Sequence, residues 1–198
     1  MPTYVITPEL STEQYEQIGK VMAAWAYLES SIDRSIWRIL DADNKTGRII
    51  TTRINMRSKL IMLRLLFDRH INDEKAGSAI STLEKYVEEV QTWRNHYAHG
   101  LWGKHPETGN FNVIWYTGGK KDQNRIYGQS AEAEAKDIGD VASCIFSLIG
   151  IADALERRLS VLRGVSSEVC EQPHEDIDPQ DQVLESISTA ELYLPSKE

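Results

Sequence analysis

The stretch WRNHYAHGLWG, residues 93–103, marks where a helical pattern gives way to a strand-like one. Upstream, Ile80, Leu83, Val87, Val90 and Trp93 recur at three- and four-residue steps after Asn72-Asp73-Glu74. That spacing predicts an amphipathic helix, and Gly100 ends it, glycine being favoured just past a helix C-terminus. Downstream, Leu101–Lys104 and Phe111–Thr117 are rich in aromatic and β-branched residues. Arg125–Gly128 reads as a returning strand, with turns at Glu107–Asn110 and Gly118–Lys121. Residues of about 101–128 are therefore expected to form a small antiparallel insertion.

The same reading extends to both ends of the chain. Pro8 and the Ser11-x-x-Gln14 capping pattern open a first helix, with Ile18, Val21, Met22, Trp25, Leu28, Ile32, Ile36 and Ile39 on one face. Asp41–Gly47 reads as a loop. A second helix is expected over Ile54–His70, carrying Met56, Leu60, Leu63 and Phe67. From Ser130 the helical period resumes, through Ile138, Val141, Ile145, Leu148, Leu155 and Leu159, and Gly164 closes it. The expected fold is all-α: a four-helix up-and-down bundle over residues 1–163, with the β insertion between helices 3 and 4. Residues 164–198 form an acidic C-terminal tail.

Charge sharpens this division. The net charge is −8, yet residues 1–163 hold 21 Lys+Arg and 21 Asp+Glu, so the tail carries the whole imbalance. Residues 45–69 hold seven bases against Asp68 alone, a stretch suited to meeting phosphate. Arg53, Arg57, Lys59 and Arg64 are its candidate RNA contacts, with Trp102 as a base-stacking neighbour. The competing reading is a solvated helix face. The N-terminus shows no secretory pattern, no run approaches membrane length, and Cys144 and Cys170 belong to no spacing motif. A cytoplasmic location with reduced thiols, and no membrane partner, is the expectation.

Two of the five histidines, His96 and His99, stand in the last turn of the third helix beside Arg94 and Asn95. On a helical wheel Arg94 falls among Ile80, Leu83, Val87, Val90 and Ala98, where a guanidinium needs a partner or a cleft. His96, His99 and His105 have no carboxylate or cysteine at ligand spacing, so neither a metal nor another cofactor is expected.

Arg94-Asn95-x-x-x-His99, followed by Gly100, resembles the signature of HEPN-domain proteins: an arginine, a polar residue and a histidine late in a long helix of a bundle. Trp25–Glu29 with Ile32-Asp33 resembles the acidic, aromatic opening of many members, and the likeness covers roughly residues 15–162. It implies a metal-independent endoribonuclease of a bacterial or phage-related toxin or defence system, its site composed from two motifs in a homodimer. Arg94, Asn95 and His99 are then the catalytic set, with Glu29, Asp33 and His96 in support. Arg94 would clamp the phosphate, Asn95 would position it, and His99 would move protons, leaving a 2′,3′-cyclic phosphate. An antitoxin or other regulatory protein is an implied partner. Some members carry a modified tyrosine two residues after the histidine; Leu101 stands there in this chain. The alternative is a catalytically inert HEPN-like module binding RNA, nucleotide or a protein partner, in which Arg94 pairs with Glu29 or Asp33. The acidic tail could also cover Arg94 as a phosphate mimic.

Overall fold

The computed structural model describes residues 5–6, 9–118 and 126–164. The protein is mostly helical with a small antiparallel sheet. Its elements run β1 (Val5–Ile6), α1 (Thr12–Leu40), α2 (Asn44–Thr51), α3 (Met56–His70), α4 (Glu74–His99), β2 (Leu101–Lys104), β3 (Phe111–Gly118), β4 (Ile126–Glu132) and α5 (Ala135–Leu162). The expected tail and Cys170 lie outside the described residues.

Side-chain caps set several of these boundaries. The Gln14 amide N–H donates to Ser11 Oγ at 3.1 Å while Gln14 Oε1 accepts from the Ser11 N–H at 3.0 Å, a reciprocal capping box. Asn55 caps α3 by accepting from the Ser58 N–H, which moves the helix start two residues past the expected Ile54. The loop expected over Asp41–Gly47 instead turns into α2 at Asn44, because Asp43 accepts from the Lys45 and Thr46 N–H groups. Gly47 then lies against the Trp37 indole, where a Cβ would collide with the ring. Helical structure does not resume at Ser130: β4 runs through Glu132, and α5 starts at Ala135.

The chain divides into two compact units. Among the described residues, the first comprises those up to Trp25 and Glu89–Ile145; the second comprises Ala26–Glu88 and Phe146–Gly164. In the first, the sheet has the order β1-β2-β3-β4, all neighbours antiparallel. β2 pairs with β3 in the register Leu101↔Ile114 and Lys104↔Phe111. The buried side chains here include Val21, Trp25, Val90, Trp93, Tyr97, Val113, Ile138, Val141 and Ile145. Gln14 Nε2 donates to the Ala133 carbonyl at 2.9 Å, tying α1 to the segment that enters α5.

The second unit buries Leu28, Ile32 and Ile36 of α1, Leu60, Leu63 and Phe67 of α3, Ile80, Leu83 and Val87 of α4, and Leu148, Ile151, Leu155 and Leu159 of α5. α5 has the length and composition to cross a membrane, contrary to the expectation that no segment does; 56% of the apolar stretch is buried within the protein.

Ion pairs join the helices of this unit at their margins. Arg34 Nε lies 2.7 Å from Glu156 and its Nη2 3.2 Å from Asp153. Arg64 Nη2 reaches Glu84 at 2.8 Å, and Arg158 Nη2 reaches Asp73 at 2.6 Å. Asp73 also caps α4 through the Ala76 N–H. The Arg158 hydrogen bond holds the Asp73 carboxyl below the ordinary aspartate value of 3.8. Its contribution is therefore present above pH 4 or so and is lost as pH falls through the lowered folded-state value. Asp73→Asn keeps a cap acceptor but removes the charge. It should cost about 1–3 kcal/mol at pH 7 in urea melts, with the difference from wild type shrinking as the pH is taken down toward about 2. A deficit that persists unchanged in acid would contradict the charge assignment.

Candidate functional site

The last two turns of α4 belong to the first unit, and their buried stripe runs Val90, Trp93, Tyr97. That stripe rotates away from Ala98, which is exposed, so Arg94 lies at its edge rather than inside an apolar sector. Arg94 is half-buried. Its Nη1 donates to Asn95 Oδ1 at 2.9 Å, and its guanidinium carbon lies 5.8 Å from the Trp25 ring centroid. Its Nε is buried without an acceptor, as is Trp93 Nε1. Among the described residues Arg94 forms no ion pair, so the expectation that Glu29 or Asp33 would neutralise it is not met.

His99 is exposed in the final turn of α4. It lies five positions after Arg94, about 140° of rotation on an ideal helix. His96 behaves differently. Its ring stacks on Trp115 with centroids 3.8 Å apart and planes inclined by 13°, and meets Trp93 edge-on at 5.7 Å. Trp115 is fixed from its other end by its indole N–H, which donates to Gln129 Oε1 at 3.0 Å. Trp102 is half-buried and lies 6.1 Å from Tyr97, near parallel. One face of each tryptophan is thus already taken by a ring of α4. Burial, with Asp137 and Asp140 nearby, pushes the Tyr97 phenol well above its ordinary range, so it stays protonated.

The helix end is seated by Gly100. Its N–H donates to the His96 carbonyl at 2.8 Å. A Cβ at this position would run into that same carbonyl oxygen and into Val113 Cγ2, with the Ile114 carbonyl 3.2 Å away. Glycine stands here because β3 passes directly beneath the turn, a reason that the expected helix-terminating role does not include.

The remaining candidates are sorted differently from expectation. Glu29 and Asp33, expected in support of Arg94, hold Lys59 between them in the second unit. Lys59 is buried and Arg64 is engaged by Glu84 and Ser81, so neither is the open RNA contact it was expected to be. Arg53 and Arg57 are exposed; Arg57 lies only 3.9 Å from an equally exposed Glu88. The sequence pattern hides this sorting because a lysine and an arginine at helical spacing look alike whichever side their helix presents to a carboxylate.

Comparison with family models, with curated proteins and with solved structures found no match.

Gly100→Ala should lower stability by about 1–3 kcal/mol through overpacking against β3. Gly150→Ala, where an added Cβ meets nothing within 4 Å, should instead raise it by about 0.5–1 kcal/mol. Equal denaturation midpoints for the two variants would contradict this account of the turn.

Proposed function

We propose that this chain is a HEPN-type, metal-independent endoribonuclease, a four-helix up-and-down bundle that works as a cytoplasmic homodimer in a bacterial or phage-related toxin or defence system. The observation that carries the reading is the state of Arg94: a half-buried guanidinium with no carboxylate partner among the described residues. It is held on one side by Asn95 and on the other by the face of Trp25. Keeping a cation partly out of water without an anion is costly, and a phosphate supplies the missing charge in a bidentate geometry suited to arginine.

His99 supports the reading because it is exposed in the same unit and at the same helix end. In the proposed reaction one imidazole takes the proton of an RNA 2′-hydroxyl, and the 2′-oxygen attacks phosphorus. The 5′-oxygen leaves with a proton from the His99 of a second copy, giving a 2′,3′-cyclic phosphate and a 5′-hydroxyl. Arg94 stabilises the charge that grows on the non-bridging oxygens, and Asn95 holds Arg94 in place. The angle between Arg94 and His99 along one helix is the reason for invoking two copies: a two-fold axis brings the Arg94 of one chain toward the His99 of the other. Exposed Arg53, in the second unit, is a further cation of the chain, and a regulatory protein such as an antitoxin would compete with RNA for the Arg94 surface.

Purified protein in EDTA should cut single-stranded RNA, leave the same sequence in DNA intact, and sediment as a dimer. Arg94→Gln and His99→Ala should each slow cleavage by about 10²–10⁴-fold while the far-UV circular dichroism and the dimer persist. Cleavage that survives either substitution is contamination and overturns the assignment. RNA that binds but is never cut identifies an inert module instead.

A further inference from the structure

The second unit contains a cleft of 550 Å³ that plays no part in the reading above. Its lining includes Glu29, Asp33, Trp37, Arg48, Thr51 and Lys59. Clefts of this size are typical of small-ligand sites, about 300–1,000 Å³. The most deeply buried members are Lys59 and Thr51, at 3% and 1% exposure.

The charges in this cleft do not cancel locally. Lys59 Nζ donates to Glu29 Oε1 at 2.9 Å and to Asp33 Oδ2 at 2.9 Å, so one ammonium faces two carboxylates. Asp33 Oδ1 lies 2.8 Å from the same nitrogen but receives no directed hydrogen bond, and Glu29, partly exposed, meets Lys59 through Oε1 alone. Burial pushes the Asp33 carboxyl above the usual aspartate range against the pull of Lys59. Arg34, a neighbour in the lining, adds nothing to the balance: it and Arg38 share Asp153 and Glu156, two cations against two anions. Arg48 is exposed and forms no ion pair among the described residues. The cleft therefore carries a surplus negative charge beside its buried lysine and an unmatched positive charge among its exposed lining. Trp37, fixed by its indole N–H to Thr51 Oγ1 at 3.3 Å, is an apolar member of the same lining.

A buried ion triad is weak stabilisation, because desolvation offsets most of the attraction. One carboxylate would have sufficed to neutralise Lys59. The second makes sense if a further cation completes the set. We infer that this cleft binds an amino-acid-sized zwitterion, with its ammonium or guanidinium group against Glu29 and Asp33, its carboxylate on Arg48 and its aliphatic stem along Trp37. This site is separate from the Arg94 site in residues and in chemistry, and stands or falls independently of nuclease activity.

The probes are free L-arginine, and agmatine, which keeps the guanidinium but lacks the carboxylate. By calorimetry on the full chain, arginine should bind once per chain and agmatine about tenfold more weakly. Arg48→Gln should bring arginine down to the level of agmatine and leave agmatine unchanged. Glu29→Gln should weaken both by about tenfold or more. Both residues are at least partly exposed, and thermal melts check that each variant is folded. No heat from arginine up to about 10 mM, the weak limit of a specific site, overturns the inference. So does arginine binding that neither substitution alters.

Discussion

The ammonium of Lys59 is withdrawn from water with Glu29 and Asp33 within 2.9 Å of it. A lysine buried without such partners would shed its proton or unfold its surroundings, so this triad fixes α3 against α1. It also decides the fate of the two carboxylates. Glu29 and Asp33 are the two acids that the sequence offers as partners for Arg94, and both face Lys59 instead. Arg94 is left with a neutral amide and an aromatic face. The contrast between a cation answered twice and a cation answered by no carboxylate is the electrostatic fact from which both functional readings proceed.

Much of the fold was legible because its signals are local. The Ser11–Gln14 box, the three-four spacing of α1, α3 and α4, and the Leu101–Lys104 and Phe111–Thr117 strands all depend on residues a few positions apart. The departures have non-local causes. α2 has a local cap in Asp43, but it is seated because Gly47 accepts the Trp37 ring, a partner from another helix. β1 is two residues long and is defined by its pairing with Gly103 and Lys104. Extension of β4 past Ser130 is likewise set by its pairing with β3, where Asn112 faces Glu132.

The candidate site was legible in its residue types and less so in its sorting. Arg94, Asn95 and His99 share the end of α4, as the helical pattern predicts, and Asn95 accepts a hydrogen bond from Arg94. His96, by contrast, is committed to Trp115, a stack that requires knowing where β3 lies. The basic stretch over residues 45–69 separates into buried, paired and open members only once the carboxylates of other helices are in place. Composition reports how many charges there are; the packing reports which ones remain unanswered.

The central claim is that Arg94 and His99 receive the same phosphodiester. The most direct measurement is an NMR titration of the His99 ring protons with a 2′-O-methyl RNA dinucleotide, which presents the phosphate and cannot be cut. The account predicts a saturable shift in the wild-type protein that disappears in Arg94→Gln. A His99 resonance indifferent to the dinucleotide, or one that moves equally without the arginine, would contradict it.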